Sequence, residues 1–540
     1  MISSRRHPAP WWLVLVGVLL AGCATAEPAL PTPLPPVVDT RVPTASRPSP
    51  TLMPTTTRPA PTATPTLPPL PAPALPEPLP DEAFAQAMRP GNERDLQALP
   101  EVPRYRLGLR VAPEQERLIG RQVLSFTNQE GAPLETILLR LYGNLQQTSE
   151  GTIPIPNTRI ESLLVNGEPA TFEVEASVLT VPLPRPLPPG AAVELEISFA
   201  SDIGRTASVS AAYWIVAPYY PLLAVHDEDG WRQDVAPNGD LIYSELAHYT
   251  VALTLPEGMP VATSGVIVRS ESNADGSATH TVLAPAMRHL TLVFGALQHR
   301  QEVVDGIRVN LWHVAGDPLV EDKLATVGQA VRFFNQRFGF YPYAELDVVS
   351  SALPGAPENA GAGIEYPGLV CHSHGAGGDD HSLVHEVAHQ WWFAVVGNDT
   401  HREPWLDEAL TNYSSYLYFE GVDGPEVGAE MLAREILDDY RLLERTNPAR
   451  AQAPVGWSVY EFGQEWGYSP VVYGKGVLFF QALREAMGDE AFFAFLQRYY
   501  EQHQYGVATG ESFLAVAEAV SGQDLAPLYT EWVEGTEDAP

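Results

Sequence analysis

The sequence predicts a multidomain protein of α and β structure. An N-terminal antiparallel β-rich domain covers 83–300, and a mainly α domain follows over 301–540. Three observations predict it. Apolar residues alternate with polar ones or Gly along Tyr105, Leu107, Leu109 and Val111. They do so again along Val193, Leu195, Ile197 and Phe199, and along Tyr249, Val251, Leu253 and Leu255. Period two marks strands with one buried face. Leu324, Val327, Val331, Phe334 and Phe338 step by three and four, the spacing of an amphipathic helix. The 52 prolines are unevenly spread, with 19 of them between Pro28 and Pro80, ahead of both patterns.

Taken in order, the chain opens on Arg5, Arg6 and His7 and an apolar run from Trp11 to Leu20. That run is too short to cross a bilayer and suits the core of a signal peptide over 1–22. Leu20-Ala21-Gly22-Cys23 resembles a bacterial lipobox, in which Cys23 is lipidated after cleavage before it. Residues 23–82, rich in Pro, Thr and Ala, cannot build a core and favour extended polyproline II geometry. They read as a disordered tether. The expected location is the cell envelope, with the lipid on Cys23 anchoring the folded part to the outer face of a membrane. Cys371 is the one other cysteine, so no disulfide framework is expected.

Composition narrows the partners. The formal net charge is −34, from 66 acidic against 32 basic residues. Such a surface repels a phosphate backbone, so nucleic acid is excluded as a partner. Within the β-rich domain, Asn166-Gly167 and Pro189-Gly190 are turn signals between alternating runs. In the second domain, Phe338-Gly339-Phe340-Tyr341-Pro342-Tyr343 ends the amphipathic helix. Leu346-Asp347-Val348-Val349 then begins a strand.

The chemistry concentrates between His385 and Glu408. His385, Glu386 and His389 form H-E-x-x-H. On a helix, residues four apart share a face, so two imidazoles can hold one zinc ion with a carboxylate beside them. A catalytic zinc needs a third protein ligand and an open position. Glu408, with eighteen residues between it and His389, is the candidate. Val384, Val387, Ala388, Trp391 and Trp392 make the helix largely buried, where unpaired imidazoles would be costly.

VHEVAHQWW followed by WLDEAL resembles the M1-type zinc aminopeptidases of the gluzincin clan, the family of aminopeptidase N and leukotriene A4 hydrolase. In that family H-E-x-x-H is followed, after eighteen residues, by the Glu of W-L-N-E; Asp407 stands here at the Asn. The resemblance implies a thermolysin-like second domain with one Zn2+ per chain on His385, His389 and Glu408. Gly361-Ala362-Gly363-Ile364-Glu365-Tyr366 resembles the family's G-x-M-E-N strand, with Tyr366 in place of Asn. That likeness implies that Glu365 holds the free amino group of a substrate. Tyr473-Gly474-Lys475-Gly476 resembles the Y-x-K-G element, which implies that Tyr473 is the catalytic tyrosine. Tyr468 matches a second tyrosine of some members. The family's P-x-x-D-E-P segment is not found in YYPLLAVHDEDGW, so no contact from the β-rich domain to substrate is expected. The resemblance runs to about Trp532, where the thermolysin-like domain normally finishes; a large helical C-terminal domain is not expected.

These readings converge on a zinc-dependent metallopeptidase acting on peptides. The first expectation is an aminopeptidase that removes N-terminal residues with a metal-activated water and Glu386 as general base. Two alternatives stay open: a zinc endopeptidase or oligopeptidase, and a non-catalytic peptide-binding surface module. His372, His374 and His381 cluster nearby and are expected to line the start of the metal helix rather than to bind a second metal.

Overall fold

The computed structural model describes residues 70–535, apart from 100, 149–150, 205–207, 211–212, 351–352, 354–361, 374–379 and 465–466. The signal peptide, Cys23 and the tether as far as residue 69 lie outside the described residues. The end of the tether stretch, 70–82, lies against the first strand of the β-rich domain. Pro73 is buried, and Arg106 Nη1 donates to Pro76 O at 3.2 Å. Gly108 makes that approach possible, because a Cβ there would fall 2.3 Å from Ala74 O.

The N-terminal domain is β-rich, and an eight-stranded sheet dominates it. Its order is Val266–Ser272, Ser277–Met287, Ala247–Pro256, Arg104–Ala112, Arg117–Thr127, Ala192–Asp202, Thr158–Val165 and Glu168–Pro169. Neighbours run antiparallel except Arg104–Ala112 beside Ala247–Pro256, which are parallel with Leu107 opposite Val251. A parallel pair needs a long crossover, and here most of the domain's chain supplies it. The alternating residues bury as the period-two pattern requires: Leu107, Leu195, Ile197, Tyr249, Val251 and Leu253 are fully enclosed. Asn166 and Gly167 turn the last hairpin with φ of 51° and 82°, the left-handed pair that a tight hairpin needs. Among the described residues the domain also holds two four-stranded and two two-stranded sheets.

The second domain begins with a five-stranded sheet ordered Gln298–Val304, Ile307–His313, Glu345–Ser350, Leu369–His372 and Gly363–Ile364. The helix Val320–Arg337 packs on it through Leu324, Val327, Val331 and Phe334. Glu321 and Asp322 at its start and Arg337 at its end suit the helix dipole. Truncating Phe334 to Ala in this core would cost roughly 3–5 kcal/mol. Two further helices, Asp380–Ala388 and Glu408–Val422, cross beside it. The edge strand Gly363–Ile364 runs past the first of these, and that arrangement positions the site.

Candidate metal centre

The short helix Asp380–Ala388 presents two faces. Leu383, Val384, Val387 and Ala388 fill the core. Helical spacing leaves His385 and His389 together on the other side, towards the helix that begins at Glu408. There, three nitrogen and oxygen atoms converge. His385 Nε2 and His389 Nε2 are 3.1 Å apart, and they lie 3.3 and 3.2 Å from Glu408 Oε2. Donors on a tetrahedral ion at about 2.0–2.2 Å stand roughly 3.3 Å from one another. The triangle therefore fits a zinc ion, and two imidazoles with one carboxylate are zinc's own donor chemistry.

Charge points the same way. Burial alone would lower His389, but the Glu408 carboxylate overrides it and raises the imidazole to about 10. Glu408, for its part, is buried, which would raise it, yet both imidazoles hold it well below the usual carboxylate range. Asp407 is the N-cap of the second helix and accepts from Glu408 N–H at 2.9 Å.

Glu386 lies beside the triangle, with a carboxylate oxygen within 4.8 Å of the His389 ligand atom. It is buried, and its Oε2 has no hydrogen-bond partner among the described residues. Burial, with Glu408 and Asp240 nearby and His389 opposing, pushes its carboxyl up to about 8. Gly363 on the edge strand leaves the room: a Cβ there would fall 2.1 Å from Glu386 Cγ. Glu365, two residues further on, is buried, and its carboxyl is raised well above the usual range by burial, Asp240 and Glu386. Glu365, Glu386 and His389 form a second, overlapping group whose ligand atoms lie within 4.8 Å of one another. It shares His389 with the first group and is not an independent site.

Tyr473 lies on a π-helical turn, Pro470–Lys475, the kind of local widening that often carries functional residues. Its ring stacks on His385 with centroids 5.8 Å apart, and its hydroxyl donates to Glu408 Oε1. Burial and the Glu408 charge raise its pKa well above the usual value, so the phenol stays a donor. Tyr468 packs edge-on against it at 6.2 Å. Of the extra histidines, His372 Nε2 pairs with Ser382 Oγ at 2.7 Å, and His381 lies 6.4 Å from His385 between ring centroids. His374 lies outside the described residues.

Asp240, from the β-rich domain, is the residue near the metal group that sequence reasoning missed. It is partly exposed beside the metal group, and Glu365 donates a hydrogen bond to it. Burial and Glu408 raise its carboxyl to about 6, against the opposing effects of Glu365 and His389. Its backbone oxygen is held by His401 Nε2 at 3.0 Å, and Tyr468 backs the preceding Gly239. The signal was present as Pro237-Asn238-Gly239-Asp240, a P-x-x-D without the following E-P, further along than the stretch first compared.

Residues 323–532 match the Peptidase family M1 domain. Aminopeptidase N of Lactococcus lactis subsp. cremoris is 28% identical over 159 residues, which are 28% of this chain and 18% of that protein. Aminopeptidase M1 of Arabidopsis thaliana is 22% identical over 308 residues, 53% of this chain and 34% of that protein. The matched stretches thus span well under half the length of these relatives. Among solved structures, the M1 zinc metallopeptidase from Deinococcus radiodurans superposes with a TM-score of 0.60 at 22% identity, over 82% of this chain and 94% of its own. A mutant of it bound to Tyr-Ser-Ala substrate gives 0.59 at 23% identity, over 82% and 95%. At such identities the likeness establishes the fold, a β-rich domain followed by a helical one. The matched M1 domain, residues 323–532, spans the residues that carry the metal triangle.

Proposed function

We propose that the protein is a zinc-dependent metallopeptidase that removes N-terminal residues from peptides. The observation that carries this reading is the carboxylate pair Glu365 and Asp240 beside the metal triangle and Glu386. Two acids there suit a substrate that arrives with a free ammonium, whose three donors can satisfy both carboxyl groups. An internal stretch of peptide offers no such charge.

His385, His389 and Glu408 would hold zinc, which when bound would supply a Lewis acid for the scissile carbonyl. Glu386 takes a proton from the attacking water and passes it to the leaving amine. The Tyr473 hydroxyl, which donates to Glu408 in this structure, turns to the developing oxyanion and stabilises it. Glu365 receives the ammonium, and Asp240 closes on it from the β-rich domain. The relatives named aminopeptidase support the exopeptidase reading, and the Tyr-Ser-Ala complex of the structural neighbour supports peptides as substrates.

The lipobox reading of Cys23 would place this activity on the outer face of a membrane. Mass analysis of the N-terminal fragment from membranes tests it, and an unmodified Cys23 would sink it.

The test of function compares aminoacyl and N-acetyl-aminoacyl fluorogenic amides, each with and without chelator. Chelator-sensitive cleavage of the free-amine set alone is expected. Equal cleavage of both sets would replace the aminopeptidase reading with that of a broader peptidase.

A further inference from the structure

The helix that carries His385 and His389 ends in a turn gripped by the β-rich domain. Arg288, just after the strand Ser277–Met287, is only 2% exposed. Its Nε donates to Phe393 O at 2.6 Å, its Nη2 to Gly506 O at 2.7 Å and its Nη1 to Ser244 O at 3.3 Å. None of the three is a carboxylate. Burying a guanidinium against neutral carbonyls is unfavourable, and burial lowers its pKa accordingly. Such a placement calls for a reason beyond local packing.

Phe393 supplies one. Its φ is 134°, in the region that favours glycine. The two peptide groups flanking its Cα carry Trp392 O and Phe393 O, and its backbone angles set one against the other. Arg288 holds Phe393 O. Trp392 O accepts from His389 Nδ1 at 3.0 Å. A carbonyl only accepts, so Nδ1 carries the proton and Nε2 keeps its lone pair. That Nε2 is the atom facing His385 and Glu408. Ala394 N–H to His389 O at 3.0 Å and Val396 N–H to Trp391 O at 2.9 Å close the turn. Gly397 completes the seat, since a Cβ there would fall 2.1 Å from Arg288 Cζ.

We propose that Arg288 is a positioning residue for His389. The β-rich domain pins the strained Phe393 turn, and the Trp392 carbonyl of that turn holds the imidazole in the tautomer and orientation that present Nε2 to the metal. The proposal rests on His389 as a metal ligand, and it does not depend on which peptides are cleaved.

The test uses the full chain and reads zinc affinity by competition with a chromophoric chelator. It also reads the visible absorption bands of the cobalt-substituted protein, which report ligand geometry, and the Tm of the metal-free protein. Arg288→Met removes the grip. Gly397→Ala displaces the guanidinium while leaving Arg288 in place, and it decides the matter if Arg288→Met fails to fold. Arg140→Met is the control: Arg140 is a buried arginine of the same domain that also serves backbone carbonyls, those of Arg232 and Asp234. The first two variants should weaken zinc binding roughly 10–100-fold, as loss of a partner behind a ligand does, and shift the cobalt bands. Arg140→Met should lower Tm and leave zinc affinity at the wild-type value. Wild-type affinity and cobalt bands in both Arg288→Met and Gly397→Ala would overturn the proposal, whatever their Tm. So would an equal loss of affinity in Arg140→Met, which would make the effect one of general destabilisation. A wild-type protein that binds no zinc would remove the metal-site reading itself, an outcome distinct from wild-type binding that the variants share.

Discussion

The two sides of the cleft are built on different length scales. The metal side draws its three ligands from His385 to Glu408, 24 consecutive residues that run from the end of one helix to the start of the next. The anchor side pairs Glu365 with Asp240, 125 positions earlier in the chain and in the other domain. The first is set by helix periodicity and one turn. The second exists only when the domains are docked. The comparison teaches that the metal triangle is local in the chain, whereas the pairing of Glu365 with Asp240 is a tertiary property.

Variants on each side should separate the two. Glu386→Gln is expected to have the largest effect, a loss of kcat on the order of 10⁴-fold with zinc still bound; turnover near wild type would remove Glu386 from the base role. Tyr473→Phe should cost roughly 10²–10³ in kcat with little change in KM, as loss of an oxyanion donor does. An unchanged kcat would assign oxyanion stabilisation to another group. Both changes should act equally on free-amine and acetylated substrates, because they belong to the metal side. Glu365→Ala should lower kcat/KM for free-amine substrates on the order of 10–100-fold, the value of a charge-assisted hydrogen bond, and spare acetylated ones. Equal losses on both sets would break the division between the two sides. Asp240→Asn keeps a hydrogen-bonding partner for Glu365 and loses only the charge. Its effect should be the smallest, roughly tenfold in KM for free amines. A KM unchanged from wild type would leave the anchor to the second domain alone.

Much of this was legible before any coordinates. His385, Glu386, His389 and Glu408 announce themselves because metal chemistry needs those side chains at helical spacing. The strands around Leu107, Leu195 and Val251 were legible because one buried face imposes period two. Asp240 was not, since its neighbours form no strand or helix and its partner is remote in the chain. The parallel pairing of Arg104–Ala112 with Ala247–Pro256 was hidden for a related reason: alternation is the same in parallel and antiparallel strands with one covered face. Arg288 was silent too. A single arginine after a strand carries no pattern, and its role depends on where Phe393 and Gly506 come to lie.

The sequence by itself determined the three residues placed to bind a metal ion, Glu386 beside them and the order of a β-rich and then a helical domain. Each follows from interactions between residues close in the chain, where periodicity ties position to direction. Tertiary structure alone decided that Asp240 meets Glu365, that Gly363 makes room for Glu386 and that Arg288 holds the turn behind His389. Those contacts join segments whose separation along the chain bears no relation to their separation in space, so only close packing of the folded domains brings them together.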